Sequence, residues 1–186
     1  MKIFSLSLFL TMFFLSNLTF AKQLSLLTEY KHTGDVYPPV FFVTNITDSS
    51  FKLAIEAYNS FEELDEKAVG LPIGVRVLKG YRTKQDGTQF TTMMLSASTL
   101  GIIPVVSNKE FKVRYDIFVQ GKSIAQFEYM MDSTDVNNIW TSSYKDKKAT
   151  PTEELFLKDT ISQFFFDLQK EEKSQAVFAE YKEYFN

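Results

Sequence analysis

The only histidine of the chain, His32, is the first candidate for catalysis or metal binding. It lies in the segment EYKHTGD, which we interpret as a loop after the first strand. A Ser-His-Asp triad would have to use His32, yet no G-x-S-x-G motif is present. With one His and no Cys, the chain also lacks the ligands of the common zinc sites. We therefore expect His32 to be a solvated loop residue.

Acidic residues are the second candidate for chemistry. Glu62, Glu63, Asp65 and Glu66 are close in sequence and could suggest paired carboxylates for acid/base catalysis. Catalysis of the glycosidase type needs two carboxylates held across a cleft. On a helix, the spacing of these four residues instead predicts a solvated acidic face.

A cation site built from Asp132, Asp135 and Asn137 is a further hypothesis, but the segment lacks the Gly and the later Glu of an EF-hand loop. Neither G-x-G-x-x-G nor G-x-x-x-x-G-K-[ST] occurs in the chain, so nucleotide binding has no support. We predict no catalytic residue, no metal site and no cofactor. We therefore expect that the protein is not an enzyme.

The composition narrows the class of protein further. The chain has 186 residues, no Cys and a formal net charge of −3 at pH 7. This length suits one domain with a substantial core, which must be stabilised by burial because disulfides are excluded. The slightly acidic balance provides no basic surface for nucleic acid or for anionic lipid.

The N-terminal sequence MKIFSLSLFLTMFFLSNLTFA has the pattern of a secretory signal peptide. Lys2 precedes an apolar run, and Thr19 and Ala21 place small residues at −3 and −1 of a cleavage site. The apolar run is shorter than the roughly 20 residues of a membrane-spanning helix. We predict cleavage after Ala21 and export of residues 22–186 to the periplasm or medium, with no transmembrane helix in the mature chain. An uncleaved anchor is the alternative.

The order of predicted elements indicates a single α+β or mixed α/β domain, with a small sheet and helices packed on it. Apolar residues at 3–4 spacing predict the first helix, although a strand over 51–58 competes with it. A capping box at Thr150 and Glu153 starts the last long helix. We expect helices near 49–69, 91–100 and 151–172, a β-hairpin over 110–131, a long surface loop over 132–150 and an aromatic helical tail over 174–186.

The hairpin has the clearest pattern. Apolar residues alternate with more polar ones along both arms, at 111, 113, 115, 117 and 119 and at 125, 127, 129 and 131. Both apolar sets share a face only if the numbers of paired residues sum to an even value. This condition predicts a three-residue loop rather than a two-residue one, with Gly121 in the left-handed conformation.

The stretch TTMMLSASTLGIIPVV, residues 91–106, is the least polar one outside the N-terminus. Unpaired backbone groups around Gly101 and Pro104 would be costly in lipid, so we exclude a membrane span. As a helix that ends before Gly101, the stretch is apolar on most sides, which predicts a helix packed against a sheet. The alternative is a partly exposed apolar patch that contacts a partner or the membrane surface.

The sequence SASTLGIIPVVSNKEFKVRYDIFVQGKSIAQFEY resembles a group of uncharacterised proteobacterial envelope proteins, many of them lipoproteins. They share a Thr-Leu-Gly-x-Ile-Pro turn followed by a hairpin and a C-terminal helix. The resemblance covers roughly residues 90–172, and this chain lacks the acylated Cys of the lipoprotein members. The resemblance implies a bacterial envelope location, and it identifies no catalytic residue in this chain.

From these observations we predict an exported, non-catalytic envelope protein that binds another envelope component, either a protein or a lipid. The alternative is a periplasmic protein that binds a small molecule or lipid in an aromatic pocket. For the partner surface, the sequence favours Leu100, Ile102 and Ile103 in the turn, with Trp140 in the long loop as the second choice.

Overall fold

The structure is a computed structural model and describes residues 30–84, 87–99, 102–103, 105–137 and 149–185. The predicted signal peptide and the rest of the segment before Tyr30 lie outside these residues. The elements are β1 (Val40–Thr44), α1 (Ser49–Glu56), β2 (Leu64–Asp65), β3 (Ile73–Thr83), α2 (Gly87–Ser98), β4 (Val105–Val119), β5 (Lys122–Asn137), α3 (Pro151–Lys170) and α4 (Glu172–Phe185).

The five strands form one sheet in the order β2-β1-β3-β4-β5. Strand β1 is parallel to both β2 and β3, whereas β3, β4 and β5 pair antiparallel. Together with the four helices, this sheet confirms the predicted α+β class.

The core lies between one face of the sheet and helices α1, α3 and α4. Strand residues alternate between two faces, and a helix presents residues at 3–4 spacing on one side. Strand β3 directs Ile73, Val75 and Val77 into the core, where each is at most 2% exposed. Helix α3 supplies the opposing apolar stripe, which consists of Leu157, Ile161, Phe164, Phe165 and Leu168.

Helix α1 is shorter than predicted. Asp48 caps it, and Phe51 and Ile55 are buried, so a helix rather than a strand is correct at its start. Asn59 then takes a left-handed φ of 49°, which a continuing helix does not allow. The predicted helix over 49–69 is therefore wrong beyond the end of α1, and strand β2 follows instead.

Strands β4 and β5 form the predicted hairpin but close it differently. Phe111 pairs with Met131, so the sum of paired numbers is even, as predicted. The turn nevertheless has two residues, Gln120 and Gly121, with φ values of 49° and 84°. A register shift beside Ile117 supplies the extra residue as a β-bulge. The left-handed Gly121 is confirmed, whereas the three-residue loop is wrong.

The hairpin also extends beyond the predicted 110–131. Strand β5 continues to Asn137, so the first residues of the predicted loop over 132–150 belong to the sheet. Residues 138–148 lie outside the described part of the chain.

Two C-terminal helices complete the domain. Helix α3 begins at the predicted capping box of Thr150 and Glu153 and ends before Glu171. Helix α4 forms the predicted tail, and its buried Phe178 lies with its ring 4.9 Å from the ring of Tyr37. None of the described helices combines the length and the apolarity that a membrane span requires.

Candidate partner-binding surface

Helix α2 turns small polar residues toward the sheet. Thr92 and Ser96 lie four residues apart and therefore share one face. The Thr92 Oγ1 donates to the carbonyl oxygen of Val106 and accepts from its N–H, at 3.1 Å in each case. Ser96 is 0% exposed. This polar face of α2 lies against strand β4.

The opposite face of α2 is apolar and exposed. Phe90 and Met94 share this face and are 68% and 60% exposed, while Met93 and Leu95 are 49% and 46% exposed. In soluble domains the apolar stripe of a helix normally faces the core. The stretch forms a helix that packs against the sheet, as predicted, but it does so through its polar face. The expectation that its apolar side lies in the core is wrong, and this side is an exposed apolar patch.

Two of the predicted partner-binding residues continue this surface. Ile102 is 82% exposed and Ile103 is 37% exposed. Thr99 holds both near the end of the helix, because its carbonyl accepts from the Ile102 N–H and its Oγ1 accepts from the Ile103 N–H. Leu100 and Trp140 lie outside the described residues. The apolar patch is defined here as Phe90, Met93, Met94, Leu95, Ile102 and Ile103.

The apolar patch concentrates exposed apolar side chains in one region. Fourteen large apolar side chains are exposed in the described part of the chain, and six of them belong to the patch. No ionisable residue occurs from Gly87 to Asn108. Lys84, just before α2, pairs with Asp132 at 2.5 Å and with Glu110 at 3.5 Å. The hydrogen bond to Asp132 raises the pKa of Lys84. The segment that carries the patch is thus uncharged, and Lys84 beside it is already paired.

The acidic residues after α1 are solvated but do not form a helical face. Glu62, Glu63 and Glu66 are exposed beside strand β2, and the Asp65 carboxylate accepts from the Lys67 N–H at 2.8 Å. Across the described ranges, no group of three or more His, Cys, Asp or Glu residues is arranged to hold a metal ion.

The buried carboxylate of Glu153 accepts hydrogen bonds from three different groups. It accepts from the Thr150 N–H at 2.8 Å, from the Ser133 hydroxyl at 2.7 Å and from the Tyr81 hydroxyl at 3.1 Å. Burial opposes ionisation of Glu153, but these hydrogen bonds outweigh it and hold the pKa of the carboxyl below its ordinary value. The sequence predicted the helix cap and missed that the same carboxylate docks α3 on β3 and β5.

His32 is half-buried and hydrogen-bonded at both ring nitrogens, so the prediction of a solvated residue is wrong. Its Nε2 lies 3.0 Å from the Asp35 carbonyl, which can only accept. In the neutral ring, Nδ1 therefore accepts from the Tyr30 hydroxyl at 2.8 Å. The ring also packs edge-on against Tyr37 with centroids 4.9 Å apart. These contacts assign a structural role to His32.

Comparisons with known proteins identify distant structural similarity. No protein-family model matches the chain, and no curated protein sequence matches it. The chain is similar to the crystal structure of rare lipoprotein B from Shewanella oneidensis, with a TM-score of 0.35 and 11% identity over 76% of this chain and 98% of that chain. It is also similar to a minor lipoprotein from Acinetobacter baumannii, with a TM-score of 0.33 and 9% identity over 73% of this chain and 92% of that chain.

Proposed function

We propose that the protein is an exported, non-catalytic component of the bacterial cell envelope that binds another envelope protein through the apolar patch. The proposal rests on the orientation of α2, which is the reverse of that expected for an amphipathic helix on a soluble domain. Thr92 and Ser96 face the sheet while Phe90 and Met94 face water. Covering the apolar face with a partner would remove it from water, which stabilises a complex by about 25 cal/mol per Å² of apolar area.

The chemistry of the patch favours a protein partner over an anionic membrane surface. Helices that lie on membranes usually carry Lys and Arg beside their apolar face. Helix α2 contains neither residue, so it offers no attraction to anionic headgroups. Met93 and Met94 have flexible side chains of the kind that adapt to protein surfaces. The complementary site on the partner is an uncharged apolar groove.

Export and the absence of catalysis rest on separate observations. The N-terminal sequence has the pattern of a secretory signal, and the Thr-Leu-Gly-x-Ile-Pro segment resembles envelope proteins. Glu153 and His32, the groups with the most obvious capacity for proton transfer, both have structural partners. These features support a binding protein.

Charge substitutions in the patch test the proposal. Met94→Lys and Phe90→Glu should preserve the fold, because both side chains are exposed. Each should remove the protein from its native complex in envelope extracts and weaken binding to the isolated partner roughly tenfold or more. Leu53→Lys, at an exposed apolar residue of α1, is the matched control and should retain the complex. The size of the complex and the dissociation constant are the measurements.

Three results would contradict binding of another envelope protein through the apolar patch. Wild-type affinity in Met94→Lys would show that the patch is not the binding surface. Flotation with phospholipid vesicles that disappears in Met94→Lys would identify a lipid surface instead. A complex that contains only copies of this chain would identify self-association.

A further inference from the structure

A groove separate from the apolar patch lies between α1 and α3. Its volume is about 740 Å³, and it is open to solvent. Ligand pockets in proteins typically measure about 300–1,000 Å³. No residue of α2 lines the groove. The groove is therefore large enough to bind a small molecule independently of the patch.

The width of the groove follows from small residues on α1 and at its C-cap. Ala54 and Ala57 line one wall, and Lys158 and Ile161 of α3 line the other. Lys158 and Ile161 are three residues apart and face the same side of their helix. Because alanine has a single methyl group, the two helices leave a space that larger side chains at 54 and 57 would fill.

Apolar surface makes up more of the groove lining than polar surface does. Val36, Ala54 and Tyr58 contribute this apolar surface, whereas Ile161 is 1% exposed and belongs to the core beneath it. The polar atoms of His32 are already committed, since both of its ring nitrogens have partners. An alkyl chain is the chemistry that such a surface accommodates.

Two lysines supply the charge of the groove. Lys31 and Lys158 both line it, and among the described residues no carboxylate side chain does. Neither ammonium makes an ion pair with a carboxylate of the described residues, whereas Lys52, Lys84 and Lys112 each do. Cations beside an apolar surface complement an anionic head attached to an apolar tail.

We propose that this groove binds a single-chain anionic amphiphile of the fatty-acid type. The alkyl chain lies against Val36, Ala54 and Tyr58, and the carboxylate is held by Lys31 and Lys158. This activity goes beyond the partner binding of the apolar patch and does not depend on it.

Titration of the full mature chain with dodecanoate, below its micellar concentration, tests the proposal. We expect saturable binding of one molecule by calorimetry and no comparable binding of dodecyltrimethylammonium. Lys31→Met and Lys158→Met should each weaken binding roughly tenfold, and Ala57→Trp should block it. Lys170→Met, at an exposed lysine of the same helix outside the groove, should bind as the wild type does. Unfolding curves of every variant separate lost binding from lost fold.

Several outcomes would overturn the proposal. Equal binding of the cationic amphiphile, or full binding in both lysine variants, would remove the role of charge. Loss of dodecanoate binding in Met94→Lys would place the amphiphile on the apolar patch. If Met94→Lys instead binds dodecanoate with the affinity of the wild type, the result supports the groove. Absence of saturable dodecanoate binding to the wild type would show that the groove does not hold such an amphiphile. Loss of partner binding in Met94→Lys bears only on the proposed function.

Discussion

The side chain of Thr92 on α2 exchanges two hydrogen bonds with the backbone of a single residue of β4, Val106. Strand β3 ends at Thr83, opposite Lys109, so β4 extends past the end of its neighbour. Thr92 provides the partner that β3 no longer supplies at Val106. This contact docks α2 on the edge of the sheet and thereby directs Phe90 and Met94 toward water.

Thr92→Val preserves the shape of the side chain and removes both hydrogen bonds. Because the N–H and carbonyl of Val106 lose their partner, we expect the free energy of unfolding to fall by about 1–2 kcal/mol in urea denaturation. Ser98→Ala is the control, since its hydroxyl donates only to the Leu95 carbonyl on the exposed side of α2. It should change stability by less than about 0.5 kcal/mol. Equal stability of both variants would show that Thr92 does not hold α2.

Gly74→Ala should destabilise the sheet. A Cβ atom on Gly74 would lie 2.2 Å from Cζ of Phe118. The Phe118 ring has little room to move, because it is 7% exposed and packs edge-on against the ring of Phe41. We expect a loss of roughly 1–3 kcal/mol, measured by thermal or urea unfolding.

Gly80→Ala is the matched control for this steric argument. Gly80 lies on the same strand, and a Cβ there has nothing within 4 Å. Adding Phe118→Leu to Gly74→Ala should recover part of the loss. A double variant in which the two effects simply add would argue against contact between the two residues.

The hairpin turn should be sensitive at Gly121 but not at its neighbour. Gly121 has a φ of 84°, so Gly121→Val should cost about 1–2 kcal/mol of stability. Gln120 already accepts a φ of 49°, and Gln120→Gly should be neutral or stabilising within about 1 kcal/mol. The midpoint of thermal unfolding reports both effects. A wild-type melting temperature for Gly121→Val would contradict the observed turn.

The lowered pKa of Glu153 makes the free energy of unfolding decrease as the pH falls. Its pKa in the folded protein is below the ordinary value of 4.5. The carboxylate therefore contributes stability that is complete above that value and is lost as pH falls through the lowered pKa. Glu153→Gln should lose about 1–3 kcal/mol at neutral pH. Its stability should also fall less than that of the wild type when urea unfolding is repeated at decreasing pH below 4.5.

Glu154→Gln separates this effect from a general loss of acidic charge. Glu154 is the next residue of α3 and is exposed. This variant should follow the pH dependence of the wild type. Parallel pH profiles for the wild type and Glu153→Gln would show that the hydrogen bonds to Glu153 do not stabilise its charged form.

The misjudged length of α1 shows what apolar spacing measures. Tyr58, Phe61 and Leu64 continue the 3–4 pattern of the helix, and all three do contact the core. They reach it from a turn and a strand, because the backbone leaves the helix before Asn59. The spacing therefore predicted which residues pack inside and not the backbone that carries them.

The apolar patch illustrates a different limit. Thr92, Ser96 and Thr99 form a polar stripe at helical spacing, which is a signal that the sequence contains. A polar stripe on a helix normally faces water, so the usual rule assigns the wrong side to the sheet. The groove was also beyond sequence patterns, because its two walls come from helices about one hundred residues apart.

The sequence by itself determined the α+β class, the parity of the hairpin, the left-handed Gly121 and the start of α3. These features depend on residues within a few positions of one another, where alternation, capping and glycine have only a few physical solutions. The tertiary structure alone decided that Tyr81 and Ser133 donate to Glu153, that Phe118 covers Gly74 and that Thr92 docks on Val106. Such contacts join residues that strand order and register bring together, and local patterns carry no information about which distant residue will be the partner.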